Sequence, residues 1–480
     1  MSSIKILFAA SEAVPFAKTG GLADVTGSLP KALKKLDVDI RVVMPMYKTI
    51  PREFREKMES AGSCYVRVGW RNQYCGVFRL VHEGVVFYFI DNEYYFNRDS
   101  LYGYFDEAEQ FTFFCTALIE ILQIVDFMPD IIHCNDWQTG VVSLLLAAKY
   151  SHIELFNRIK TVFTIHNIKY QGVFPKEVLT DILGLGWEYF TPDKIEFYNQ
   201  VNFLKAGLVY SEIITTVSRT YAEEIKYEFF GENLSDIIRK RSEDVYGIIN
   251  GIDFEENNPA ADNRLFVNYD ISCVEKKAVN KCKLQESLGL PVDMDVPVIA
   301  IISRLVDQKG FDLISHVLHD LLQENIQLVI LGTGEQKYED LFRAAALNYP
   351  DKVSSSLKYD GILAQRIYAG ADMLLMPSLF EPCGLSQLFS LRYGTIPIVR
   401  ETGGLKDTIQ SYNEFTSEGN GFSFANYNAY DMLYTIRRAI SFYHNKDIWN
   451  ALIRRGMTQD FSWDKSADEY KELYIKLMER

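Results

Sequence analysis

Lys18-Thr19-Gly20-Gly21-Leu22-Ala23-Asp24 is the stretch on which the reading of this chain turns. An apolar run, Ile4 to Ala10, precedes it and reads as a buried first strand, with Ser11 to Phe16 as an elbow. A helix pattern then begins at Leu22 and continues through Leu29, Leu33 and Leu36. Without a Cβ, Gly20 and Gly21 let the backbone come close to a ligand at this strand-to-helix turn. The helix start offers unpaired N–H groups and a positive dipole end, which suits phosphate. Lys18 adds a mobile full charge at the lip, and Asp24 closes the motif. Glu401-Thr402-Gly403-Gly404-Leu405-Lys406-Asp407 echoes it after a second apolar run, Ile396 to Val399. Two halves of the chain present the same kind of turn, as if to one cleft.

At 480 residues the chain is too long for one core, so two or three domains are expected. Hydrophobic residues at 48% against 24% charged make an ordinary soluble balance. A formal net charge of −14 argues against nucleic acid and anionic membrane as partners, since both demand a basic face. Seven scattered cysteines with no C-x-x-C pair are free-thiol, cytosolic usage. No apolar run approaches the ~20 residues that span a bilayer. The opening run lacks signal-peptide proportions, so a cytoplasmic protein is expected.

Short apolar strands alternate with helix-length segments, the mark of parallel sheets covered by helices. The first half offers Ile4–Ala10, Ile40–Met44, Ile131–Cys134, Thr161–Ile165, Ile213–Val217 and Val245–Ile249, with a hairpin at Gly76–Val81 and Val85–Ile90. The second half offers Val298–Ile302, Gln327–Leu331, Met373–Met376 and Ile396–Val399. Residues 255–263 are polar and turn-rich and read as a hinge. The expectation is an α/β protein of two doubly wound domains facing across a cleft, 1–254 and 264–460. The last segment, 461–480, holds an amphipathic helix free to pack on either domain. Doubly wound sheets bind ligands at the carboxyl ends of their strands. Asn135-Asp136, His166-Asn167, Asn250, Ser303-Arg304 with Lys309, and Phe380-Glu381 all fall just after strands.

These residues, in this order, resemble the bacterial and plant-type glycogen and starch synthases, retaining glucosyltransferases of the two-Rossmann-domain class called GT-B. The resemblance covers nearly the whole chain. It rests on Lys18-Thr-Gly-Gly-Leu-Ala-Asp24, Asn135-Asp136-Trp137, Thr164-Ile-His-Asn-Ile-Lys-Tyr-Gln-Gly172 and Asn202-Phe-Leu-Lys-Ala-Gly207 in the first half. Asn250-Gly-Ile-Asp253, Ser303-Arg304-Leu305, Gln308-Lys309-Gly310, Phe380-Glu-Pro-Cys-Gly-Leu385 and Thr402-Gly-Gly-Leu405 continue it. It implies glucose transfer from a nucleotide diphosphate sugar, usually ADP-glucose, to the non-reducing 4-hydroxyl of an α-1,4-glucan. No cofactor and no metal are implied.

The chemistry fits the residues on its own terms. Departure of the leaving group concentrates negative charge on a diphosphate, so fixed cations are needed there. Arg304 and Lys309 are spaced to reach a diphosphate from the second domain, and Lys18 from the first. The resemblance adds the finer roles. It makes Glu381 the acidic residue that holds the donor sugar's hydroxyls, and Asp136 a carboxylate on the acceptor side. It gives His166 a backbone carbonyl facing the developing oxocarbenium and an imidazole bonding the glucose 6-hydroxyl. Asn167 and Asn250 are similar to amides around the glucose, and Tyr359 to a residue stacking on adenine. Cys383, Gly384, Leu385, Thr402, Gly403 and Gly404 complete the implied substrate-binding set, with Gly20, Gly21 and Asp24. Read without the resemblance, the alternatives are an Asx turn or helix cap for Asp136, a carboxylate complementing a helix dipole for Glu381, and an ordinary core or surface tyrosine for Tyr359.

Retention by a covalent intermediate and retention by same-face substitution both remain open in the sequence; the resemblance favours the second. The pairs Asp37/Asp39 and Asp293/Asp295 read as solvated turn residues, and no zinc spacing occurs. A pyridoxal-dependent phosphorylase on the same fold would need its own lysine motif, which is absent. A silent binding protein should lack one of Arg304, Lys309 or Glu381, and this chain has all three.

Overall fold

The computed structural model describes residues 3–480. They form two compact units, one running through Gly251 and resuming at Trp463–Arg480, the other Ile252–Ser462. Each unit has its own hydrophobic core.

The first unit is built on a nine-stranded sheet. Its strands in chain order begin with β1 (Lys5–Ala9), β2 (Asp39–Pro45), β3 (Glu59–Val68), β4 (Arg71–His82) and β5 (Val85–Asp91). β6 (Ile131–Asn135) and β7 (Lys160–Ile165) follow. β8 (Val173–Pro175), β9 (Glu196–Phe197) and β10 (Gln200–Asn202) make a separate small antiparallel sheet. β11 (Ile213–Thr216) and β12 (Val245–Gly247) complete the large one, ordered β12-β11-β7-β6-β1-β2-β5-β4-β3. β1 is apolar on both faces because helices cover both sides of a parallel strand; Ile6, Leu7, Phe8 and Ala9 are all buried. β3 and β4 extend one edge antiparallel, where β3 alternates buried and exposed residues towards its end.

Helix Gly21–Lys35 follows β1. It buries Leu22, Val25, Leu29 and Leu33 on one face and places Asp24 in its first turn and Lys34 and Lys35 in its last. That distribution complements the helix dipole at both ends. The C-terminal helix Trp463–Met478 lies in this unit: Lys35 pairs with Asp464 at 3.1 Å, and Lys471 donates to the Leu36 carbonyl at 2.8 Å.

The second unit carries β13 (Val298–Ile302), β14 (Gln327–Leu331), β15 (Val353–Ser356), β16 (Met373–Met376), β17 (Ile396–Arg400) and β18 (Phe422–Phe424). All pairings are parallel, in the order β15-β14-β13-β16-β17-β18. This is the doubly wound order in which the chain steps outward one way from β13 and then the other way from β16. The direction of winding therefore reverses between β13 and β16. In the first unit it reverses between β1 and β6.

The stretch 255–263, expected as a hinge, is held within the second unit. Asp262 pairs with Arg264 at 2.7 Å and accepts the Tyr393 hydroxyl at 2.6 Å, and Arg392 donates to the Asn257 carbonyl at 3.1 Å. The chain divides a few residues earlier, between Gly251 and Ile252.

Candidate active site

In the second unit Arg304 and Glu381, and in the first Lys18 and Asp136, follow the strands that flank the winding reversal, whereas Tyr359 and Asn250 follow the edge strands β15 and β12. In the second unit Arg304 follows β13 and is exposed, and Lys309 ends a short turn of helix, Asp307–Lys309. Glu381 follows β16, is 6% exposed, and lies 2.5 Å from the Lys309 ammonium; the Ser378 hydroxyl donates to the same carboxylate oxygen at 3.0 Å. The backbone carrying the pair is stitched together. Leu379 N–H donates to the Gln308 carbonyl at 2.9 Å, and Gln308 Nε2 to the Phe380 carbonyl at 3.2 Å. Gly310 must be glycine: its φ is +75°, and a Cβ would stand 2.1 Å from the Pro377 oxygen. Glu381 does not cap a helix end, since the next helix begins only at Ser386.

The second Gly-Gly turn has a different reason for its glycines from the one expected. A Cβ on Gly403, at φ +45°, would lie 1.9 Å from the Glu381 carbonyl oxygen, and one on Gly404 2.1 Å from that of Cys383. Thr402, Gly403 and Gly404 are buried against the Glu381-Pro382-Cys383 backbone, so they brace the loop that carries Glu381. Cys383 and Gly384 are buried in that loop and Leu385 is half-buried. Tyr359, between β15 and the next helix, is 86% exposed, so it is no core tyrosine.

The first unit also departs from expectation. Lys18 is not a free charge: its ammonium pairs with Asp24 at 2.6 Å. Nor are the first N–H groups of the turn unpaired. Thr19 N–H donates to Glu12, as do its hydroxyl at 3.1 Å and Gly20 N–H at 3.3 Å. Glu12 is 4% exposed, and burial raises its pKa against the lowering effect of those bonds. A protein carboxylate thus takes the N–H groups of Thr19 and of the cap residue Gly20, just ahead of the first helical turn. Gly21 is different: a Cβ there would meet nothing within 4 Å, so no packing demand explains the glycine.

Asp136, just past β6, has φ +57° and ψ 179°, a conformation that belongs to glycine. Its carboxylate makes no bond to its own helical turn and instead accepts His166 N–H at 2.7 Å. That disposes of the cap reading. Burial pushes its pKa up to about 7, opposed by bonds from the His166 and Asn167 backbones and helped by the charge of Glu12. His166, just past β7, donates through Nε2 to Asn135 Oδ1, 2.9 Å away, and burial lowers its pKa to about 3. Asn167 turns its side-chain oxygen to Lys169 N–H at 3.1 Å. Asn250 is buried, and its Oδ1 has no hydrogen-bond partner, an unusual state for a buried acceptor.

An open groove of about 490 Å³ lies beside this cluster, lined by Glu107, Trp137, Tyr170, Gln171, Phe174, Phe197, Glu232 and Asn233. Aromatic faces interleaved with carboxylates and amides suit a polyhydroxylated ligand. Sequence reasoning missed Glu12 and most of this groove, and it placed Asn135 at the strand end without giving it a role. A carboxylate six residues before a Lys-Thr-Gly-Gly helix start was the available signal for Glu12. Among the described residues no cluster of three or more His, Cys, Asp or Glu could hold a metal ion, and no helix is long and apolar enough to cross a membrane.

Comparison with known proteins bears on these features. The family described as "Starch synthase catalytic domain" matches residues 5–240, and "Glycosyl transferases group 1" matches residues 286–451. The glycogen synthase of Clostridium novyi (strain NT) is 56% identical over 99% of this chain and 100% of its own. That of Desulforamulus reducens is 55% identical over 99% of each. The catalytic domain of starch synthase IV from Arabidopsis thaliana, bound to ADP and acarbose, superposes with a TM-score of 0.92 at 32% identity, covering 100% of both chains. A sucrose-phosphate synthase from Thermosynechococcus elongatus shares the fold at a TM-score of 0.62 and 16% identity, with 99% of each chain covered.

Proposed function

The chain belongs to the glycogen and starch synthase family of GT-B glycosyltransferases, and from that premise we propose that it transfers glucose from ADP-glucose to the non-reducing 4-hydroxyl of an α-1,4-glucan, with retention of configuration. The observation that carries the residue assignment is the Lys309–Glu381 pair, with Arg304 nearby in sequence after β13, at the winding reversal of the second unit.

Arg304 and Lys309 take up the charge that builds on the diphosphate as the glucosyl bond breaks; charge-assisted bonds to phosphate are the strong kind. Glu381 holds the donor sugar's hydroxyls and balances the positive charge that develops on the ring. Tyr359 stacks on the adenine. The loop Cys383–Leu385, braced by Thr402–Gly404, walls the donor sugar. The His166 carbonyl faces the anomeric carbon, its imidazole and the Asn167 amide contact the glucose, and Asp136 orients the acceptor side. Asn250 Oδ1, a buried acceptor without a donor, receives a sugar hydroxyl. Gly20 and Gly21 admit the donor close to the backbone, with Lys18 exchanging Asp24 for phosphate. The aromatic groove receives the glucan.

No enzyme nucleophile is required. The departing phosphate draws the acceptor's proton while the 4-hydroxyl attacks the same face. Recovery of a glucosyl adduct on Glu381 or Asp136 by mass spectrometry overturns this. The ADP of the structurally similar plant protein favours ADP-glucose over UDP-glucose, and the chain works in the cytoplasm. Purified protein, a glucan primer and the two labelled nucleotide glucoses side by side test the proposal. Faster incorporation from ADP-glucose is expected; incorporation from neither refutes it.

A further inference from the structure

Asn135, the last residue of β6, is fully buried, and only one orientation of its amide satisfies its neighbours. One amide atom lies 3.0 Å from the Ala9 carbonyl oxygen. A carbonyl can only accept, so that atom is the nitrogen. The amide oxygen therefore faces His166 Nε2 at 2.9 Å. An amide oxygen also can only accept, so Nε2 carries a hydrogen. A neutral imidazole has one N–H, which leaves Nδ1 as a bare lone pair. Burial keeps this ring neutral, with a pKa of about 3. The His166 backbone is pinned as well, by the 2.7 Å bond from its N–H to Asp136. Ala9, Asn135 and His166 sit at the ends of the adjacent strands β1, β6 and β7, so rigid sheet backbone holds the relay.

We propose that Asn135 is a positioning residue that fixes His166 as its Nε2–H tautomer, so that Nδ1 can only accept and the sugar position it faces must carry a hydroxyl and not a carboxylate. The site then selects a nucleotide glucose over a nucleotide glucuronate. An oxidised C6 offers no hydrogen to Nδ1 and sets its charge against the lone pair. A site built around one hydrogen-bond polarity rejects the mismatched ligand by roughly 10²-fold or more. The selectivity rests on the proposed reading of the His166 imidazole as the contact to the glucose 6-hydroxyl; the tautomer rests only on the Ala9–Asn135–His166 geometry.

Histidine-labelled full-length protein tests the tautomer directly. With seven histidines in the chain, the His166 ring signals are assigned by their loss in His166→Ala. Imidazole nitrogen shifts are expected to show Nε2–H alone, with no titration above pH ~5. An Nδ1–H ring in the parent protein overturns the proposal. In Asn135→Ala the lock is gone, so both tautomers should appear while His133 keeps its signals as a control for folding. Its kcat/KM for ADP-glucose should fall roughly 10- to 100-fold. An unchanged tautomer in that variant also overturns the proposal. UDP-glucose and UDP-glucuronate, which differ only at C6, are compared as competitive inhibitors. A ratio near one in the parent protein removes the selectivity claim. If His166→Ala keeps full turnover while the parent ring is purely Nε2–H, the proposed role of His166 fails and the tautomer assignment stands.

Discussion

Removing the Glu381 carboxylate is expected to separate its structural from its catalytic weight. It is 6% exposed and 2.5 Å from Lys309, so Glu381→Ala leaves a half-buried ammonium without its counter-charge. Breaking a buried pair from one side costs about 3–5 kcal/mol. In a unit the size of Ile252–Ser462 that lowers the melting transition by roughly 6–20 °C. The catalytic effect is additional. We expect kcat to fall roughly 10²- to 10⁴-fold with a smaller change in donor KM, about 3–5 kcal/mol of transition-state stabilisation. Glu381→Gln keeps the volume and one acceptor for Ser378 but not the charge facing Lys309, so it should recover only the smaller part of the melting temperature and little of kcat. Saturating ADP supplies Lys309 with a new counter-charge, and should raise the melting temperature of Glu381→Ala by more than that of the parent protein. Calorimetry and initial-rate transfer of labelled glucose to glycogen read both effects. A Glu381→Gln enzyme turning over within about 3-fold of the parent would refute the catalytic role.

Three further outcomes follow from particular contacts. Arg304 is exposed, so Arg304→Ala should leave stability within about 0.5 kcal/mol while both kcat and donor KM worsen; a stability loss with normal kinetics makes it a structural residue. Gly21→Ala and Gly403→Ala should differ in kind. The first meets no protein atom and should gain up to about 1 kcal/mol of stability while donor KM rises; the second drives a Cβ into the Glu381 carbonyl and should lose stability and kcat together. A Gly21→Ala enzyme with unchanged KM takes that turn out of the donor site. For Asp136 the folded pKa of about 7 lies above the ordinary carboxylate value, so the folded state holds its proton more tightly. That contribution to stability is fully present below pH ~4 and is lost as pH rises to ~7. Asp136→Asn should therefore melt higher than the parent protein at pH 8, the gap closing towards pH 4; an equal gap at both ends excludes titration of Asp136 as its source.

The parallel strands were legible because burial on both faces leaves continuous apolar runs, as in Ile131–Cys134 and Val298–Ile302. Strands at an edge leave no such trace. β3 mixes polar and apolar residues and ends in partial alternation, and β15 reads Val-Ser-Ser-Ser. The polar composition of residues 255–263 marked a loop correctly, but composition does not distinguish a linker from a loop pinned by Asp262 and Arg392. In the candidate site, residues directly after strands were within reach of sequence reasoning because winding places them at one end of the sheet. Their partners were not. Asn135 on His166 and the Gly403 approach to Glu381 join segments at the ends of different strands, while Glu12 on Thr19 and Gly20 is a turn-back within one loop that composition does not reveal. The Gly-Gly echo shows the limit most plainly, since one glycine has open space beside it and its counterpart has a carbonyl.

A crystal structure of the full chain with ADP tests the central assignment most directly. The account predicts diphosphate oxygens within about 2.7–3.1 Å of both the Arg304 guanidinium and the Lys309 ammonium, with the base against Tyr359. Diphosphate bound elsewhere on the chain, with Arg304 still reaching into solvent, would contradict it.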